Sequence, residues 1–141
     1  MTDPSALTEK SIKTNEKPNI NEISTPALAY LGDCVIELLV RRHLVLSGIG
    51  TSKSLNKTAL EYVSAPAQAE AVKNILPLLT EEEEGYFRRG RNIGHTNVPR
   101  HATVAEYRAA TGMETLFGYL HLTGQSERAE ELFSKAYALE K

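Results

Sequence analysis

Between Ala27 and Val40 the chain is almost uninterruptedly apolar, and Leu28, Leu31, Val35, Leu38 and Leu39 recur at three- and four-residue spacing. That period predicts a helix of about 20 residues. Ser24 or Thr25 can cap its free amides, Pro26 suits its first turn, and the cationic Arg41-Arg42-His43 and the glycines of "SGIG" mark its end. "TSKSLNKTALEYVS" and "APAQAEAVKNILPLL" predict two shorter helices, separated around Ser64–Pro66 and closed before Pro77. In "TEEEEGYFRRGRN", Thr80 is the expected cap, with acids in the first turn and arginines in the last, as the helix dipole favours. A loop over residues 92–102 leads to "VAEYRAATGMETLFGYLHLTG", capped by Thr103, and to a terminal helix, "SERAEELFSKAYALE", with Ala129, Leu132, Phe133, Ala136 and Leu139 on one face. Strand-like alternation is missing, so the expected fold class is all-α. Residues 1–22 are polar and aperiodic and are expected to form a flexible N-terminal extension, leaving 23–141 as the folded domain.

Composition narrows the functional classes. A chain of 141 residues fits one domain, and 41% hydrophobic with 24% charged residues is ordinary for a soluble globular protein. Cys34 is the only cysteine, so no internal disulfide forms and no metal-binding cysteine pair exists; its apolar neighbours make core packing its expected role. There is no apolar run of about 18 residues for a membrane span and no signal-peptide core, so a cytoplasmic location without membrane contact is expected. The net charge of −2 argues against a general polyanion binder, yet Gly85 to Ala105 holds four arginines, two histidines and no acid. Arg88, Arg89, Arg91, Asn92, His95, Asn97 and Arg100 can therefore meet phosphate and sugar oxygens locally, or simply form a solvated helix end. His95 and His101 have no carboxylate companion and do not suggest a zinc site.

Two carboxylates stand out. Asp33 interrupts the first apolar stretch, and Glu114 lies among small and apolar neighbours with Gly112 and Gly118 on either side. Buried carboxylates are costly unless paired or ligated, and glycine within a helix usually admits a close neighbour. If the two helices cross here, a divalent cation between the acids relieves their repulsion, and oxygen-only ligands favour Mg²⁺ or Mn²⁺ over Zn²⁺. Plainer roles exist for both: Asp33 can face the helix dipole, and Glu114 can pair with Arg108. Glu37 is sufficiently explained by an ion pair with Arg41, four residues on.

The blocks "ALAYLGDCVIELLVRRHL", "LTEEEEGYFRRGRN" and "TVAEYRAATGMETLFGYLHLTGQ" resemble, in collinear order, Mini-ribonuclease III of the ribonuclease III family. "LGDCV" is similar to the core of that family's signature and "METLFGYLHL" to its second catalytic helix. The resemblance implies a ribonuclease III endonuclease-domain-like helical bundle and a homodimeric, Mg²⁺-dependent endoribonuclease specific for double-stranded RNA. It implies maturation of large-subunit (23S) ribosomal RNA precursors, with room for a ribosomal protein that presents the substrate. No separate double-stranded-RNA-binding domain is expected. Asp33 and Glu114 match the catalytic and metal-binding positions, whereas Ala29 and Thr111 stand where larger relatives carry two further acids. Two other readings use the same residues: a non-catalytic RNA-binding module on this fold, and a helical scaffold that ignores RNA.

Overall fold

In the computed structural model, which describes residues 19–94, 98 and 100–139, the all-α expectation holds. Among the described residues six α-helices form: α1 (Thr25–Leu46), α2 (Ser52–Val63), α3 (Ala65–Lys73), α4 (Glu81–Arg91), α5 (Val104–Leu122) and α6 (Ser126–Ala136). The caps explain where they start. The Ser24 hydroxyl accepts from the Ala27 amide, Thr51 from Ser54 and Ser64 from Ala67. Thr80 with Glu83, and Thr103 with Glu106, close reciprocal capping boxes that start α4 and α5. Caps of this kind stabilise a helix by about 1 kcal/mol each.

Three boundaries differ from the sequence expectation. Ile20–Glu22 form a 3-10 turn capped by the Asn19 side chain, and Ile20 and Ile23 pack against the core. Order therefore reaches back into the 1–22 segment, whose residues 1–18 lie outside the described residues. Pro77 sits inside a second 3-10 turn, Leu76–Leu78, that comes after α3. At the far end, α6 stops at Ala136 instead of running through Leu139: Ala138 turns left-handed (φ 53°), and the Leu139 amide donates back to the Ser134 carbonyl at 2.8 Å. This satisfies the helix's last carbonyls without the glycine that normally marks such an end, so no sequence signal announces it.

α5 is the central helix, with α1, α3 and α4 packed around it. From Ala110 to Leu120 every residue is buried except Glu114. Met113, Leu116, Phe117 and Leu120 meet Leu28, Ile36 and Val40 of α1 in one core with Val72, Ile75, Phe87 and Leu132. The buried hydroxyls of Thr111 and Thr115 donate to the Tyr107 and Thr111 carbonyls of their own helix. Glycines let α4 come close: a Cβ on Gly112 would lie 2.7 Å from the Phe87 ring, and one on Gly90 would lie 2.2 Å from the Thr115 hydroxyl oxygen. No helix among the described residues is long and apolar enough to cross a membrane.

The N-terminus of α4 is fastened to α6 by a nearly buried ion pair. Arg128 donates through Nε to Glu83 Oε2 (2.9 Å) and through Nη2 to Glu83 Oε1 (2.8 Å) and the Leu78 carbonyl (2.9 Å). Glu83 is only 3% exposed, and the hydrogen bond from Arg128 holds its carboxyl below the usual range against the opposing effect of burial. Arg128→Ala strands that charge and is expected to lower unfolding free energy by about 3 kcal/mol in urea titrations. Pairing it with Glu83→Gln should restore much of the loss.

Candidate active site

Asp33 and Glu114 come together because two backbones touch. A Cβ built on Gly32 would fall 1.6 Å from the Glu114 carbonyl oxygen, and one on Gly118 would fall 2.0 Å from the Leu28 carbonyl oxygen. Only paired glycines permit such an approach. The contact places Asp33, the next residue along α1, beside Glu114. The pattern of the sequence points to Gly118 but not to Gly32; an interior helical glycine directly before the signature aspartate is the signal available there.

The electrostatics report the same adjacency. Burial, then the Asp33 charge, then a side-chain hydrogen bond with Asp33 push the Glu114 carboxyl from its ordinary 4.5 up to about 8. Asp33 itself is exposed, so the pair opens to solvent on the Asp33 side. Glu114 makes no ion pair with Arg108, which removes the plain structural role considered for it; the Glu37–Arg41 pair forms as expected, at 3.3 Å. Among the described residues no third His, Cys, Asp or Glu joins the two acids in a metal-binding group. The Thr111 hydroxyl, at the position of a missing acid, is turned back to the Tyr107 carbonyl at 2.9 Å.

A raised carboxyl pKa has a definite sign in stability. Between pH 4.5 and about 8 the folded chain keeps a proton that the unfolded chain has released, so stability falls as pH rises across that window. In chelator, the melting temperature is expected to drop by several degrees, roughly, from pH 5 to pH 8. Glu114→Gln should flatten that slope and melt higher than the unsubstituted protein at pH 8. A slope unchanged by the substitution would show that the acids do not face each other.

The arginine block occupies the end of α4 and the segment leading to α5. Arg88, Arg91, Asn92 and Arg100 are exposed, while His95 and Asn97 lie outside the described residues. Arg88 is loosely paired with Glu84 at 3.7 Å, and Arg91 donates to Asn92 at 3.4 Å. Arg89 has an architectural job that the sequence did not reveal: Nε donates to the Thr25 hydroxyl (3.1 Å), Nη2 to the Ile23 carbonyl (3.5 Å), and its guanidinium lies 5.0 Å above the Tyr86 ring. Elsewhere arginine charge is neutralised internally, Arg41 by Glu37, Arg42 by Glu130 and Arg128 by Glu83. The arginines lacking a carboxylate partner among the described residues, Arg89, Arg91, Arg100 and Arg108, all lie from α4 to the first half of α5.

Cys34 corrects an expectation. It is exposed rather than packed in the core, because the buried line of α1 runs through Leu28, Gly32, Ile36, Val40 and Leu44. Cys34 falls on the opposite side with Tyr30 (86% exposed) and Leu38 (66% exposed).

The chain is similar to known proteins in sequence and in fold. Residues 26–125 match the family model of the Ribonuclease III domain. Mini-ribonuclease 3 of Symbiobacterium thermophilum is 44% identical over 118 residues, spanning 82% of this chain and 91% of that protein. Mini-ribonuclease 3 of Enterococcus faecalis is 47% identical over 110 residues, spanning 77% and 83%. A crystal structure of a Fusobacterium nucleatum protein aligns with a TM-score of 0.74 at 32% identity, covering 82% of this chain and 93% of that one. A domain match over most of the chain and relatives of this closeness lead to one assignment: the chain belongs to the ribonuclease III family, and within it to Mini-ribonuclease III.

Proposed function

We propose that this ribonuclease III-type endoribonuclease hydrolyses double-stranded RNA at Asp33 and Glu114, using Mg²⁺ or Mn²⁺, and acts as a homodimer on large-subunit (23S) ribosomal RNA precursors in the cytoplasm. The observation that carries the reading is Glu114, the one opening in an otherwise sealed stretch of α5, set against Asp33. The donor set fits a hard divalent cation: two carboxylates, oxygen ligands only, and a mutual repulsion that positive charge relieves. With no third protein acid at hand among the described residues, water and RNA phosphate oxygens are the natural remaining ligands. The chemistry a bound cation supplies there is polarisation of the phosphoryl group, activation of water and stabilisation of the departing 3′ oxygen. Asp33 and Glu114 hold and orient the metal site, and hydrolysis leaves a 5′ phosphate and a 3′ hydroxyl. Arg88, Arg91, Asn92 and Arg100, joined by His95 and Asn97, bind phosphate and sugar oxygens of an A-form strand, while Arg89 fixes the end of α4 that presents them.

The dimer rests on the free side of α1. Tyr30, Cys34, Leu38 and Val45 form an exposed stripe along that helix, with Tyr30 86%, Leu38 66% and Val45 60% exposed. A two-fold pairing through this stripe covers it and gives each strand of a duplex its own acid pair. A ribosomal protein that presents the substrate is compatible with the same arrangement.

The direct test is incubation of purified protein with a long RNA duplex, with Mg²⁺ or with chelator. Short duplex products bearing 5′ phosphates are expected with Mg²⁺ alone. Cleavage in chelator, or binding with no cleavage in either Mg²⁺ or Mn²⁺, would overturn the reading. Leu38→Glu should sediment near the single-chain mass of 15.5 kDa and lose double-strand cleavage.

A further inference from the structure

The 3-10 turn at Ile20–Glu22, the start of α1 and the solvent side of α4 enclose an open cleft lined by Asn21, Thr25, Glu82, Tyr86, Arg88 and Asn92. We infer that this cleft is a ribose–phosphate subsite for one strand of the RNA duplex: Arg88 and Asn92 take the phosphate, and Glu82 and Asn21 hydrogen-bond the 2′-hydroxyl of the same nucleotide. The inference rests on the double-stranded-RNA reading and adds a discriminating contact to it.

Mixed charge selects the ligand class. A plain phosphate would meet the Glu82 carboxylate and be repelled, whereas a ribose hydroxyl can donate to it; a ligand with an anionic end and a hydroxyl end satisfies both rims. The cleft is also formed in advance. Arg89 ties the turn to α4 through the Ile23 carbonyl and the Thr25 hydroxyl, so its width is set without ligand. Its floor, Tyr86, is held between the Tyr119 ring, stacked at 4.0 Å, and the Arg89 guanidinium. The Glu82 carboxylate is exposed at the rim of the cleft, so its oxygens stay open to a donor. Position agrees as well: Thr25 lies about two turns before Asp33 on α1, and Asn92 lies just beyond Gly90, which abuts Thr111 and Thr115 on either side of the Glu114 level. Asn21 lies in the 3-10 turn before α1, on the rim of the cleft facing α4.

The test uses the full chain and a defined RNA duplex carrying single 2′-deoxy substitutions at successive positions, read both as binding in chelator and as cleavage in Mg²⁺. The unsubstituted protein is expected to lose about fivefold at one nucleotide on each strand, the size of one hydrogen bond. Asn21→Ala should lose about as much on all-RNA duplex, and both it and Glu82→Ala, which removes the acceptor altogether, should show no further loss when that nucleotide is 2′-deoxy. Variants that keep the full deoxy penalty, or a duplex with no sensitive position, would overturn the subsite. Tight binding with the expected deoxy profile but no cleavage would instead sink the nuclease reading and leave the subsite standing, and a protein that binds no duplex sinks both.

Discussion

Asp33→Asn and Glu114→Gln are each expected to reduce duplex cleavage by roughly a thousandfold or more while duplex binding changes little. The reason lies in the division of the molecule. The two acids sit at the α1–α5 contact, whereas the arginines without acid partners among the described residues run from α4 to the first half of α5. In the proposed metal site, loss of one carboxylate leaves a single protein ligand, with no third acid in a metal-binding group among the described residues. On the proposed reading, protons compete with the cation for Glu114, whose carboxyl is pushed up to about 8, so cleavage is expected to rise with pH and that rise to move to lower pH as Mg²⁺ is raised. Cleavage assays and filter binding across pH measure both. A variant that cuts as fast as the unsubstituted protein removes its residue from the site.

Gly32→Ala is expected to be the most damaging single methyl group that can be added to this fold. Its Cβ would stand 1.6 Å from the Glu114 carbonyl oxygen, 2.5 Å from that carbonyl carbon and 2.9 Å from the Gly118 nitrogen. These are backbone atoms of α5 and cannot swing aside as a side chain would. Relief requires parting α1 from α5, which uncouples Leu28 and Ile36 from Met113 and Phe117; the expected loss is about 4 kcal/mol or more. Any folded remainder should show a widened acid pair, read as a Glu114 titration moved back toward 4.5. Gly85→Ala is the contrasting case: nothing lies within 4 Å of its Cβ position, and the better helix former should add about 1 kcal/mol. Chemical denaturation of the two variants side by side separates the effects.

Much of this was legible in the linear order of residues, and for identifiable reasons. Threonine and serine caps, acid-first and base-last charge order, and three-four spacing are local signals, and the helices they announce are present. What resisted reading is set by partners distant in sequence. Nothing near Cys34 says which side of an apolar helix will be left uncovered; that is decided by where α5 docks. Arg89 looks like its neighbours Arg88 and Arg91, yet it alone reaches Ile23 and Thr25 across the fold. Glu83 looks like one of four equivalent acids, and only its position opposite Arg128 distinguishes it. The end of α6 eludes the pattern because an alanine adopts the conformation usually left to glycine. Asp33 and Glu114 were the accessible part of the site, since charge in an apolar helix is conspicuous; Gly32, which sets their spacing, carries no charge to notice.

The exposed thiol of Cys34 gives the protein a built-in reporter. It is the sole sulfhydryl in the chain, it neighbours Asp33, and it faces outward from the middle of the uncovered side of α1. A single alkylating reagent therefore labels one known atom, and the rate of labelling becomes a footprint of whatever shields that surface, with no engineered cysteine required.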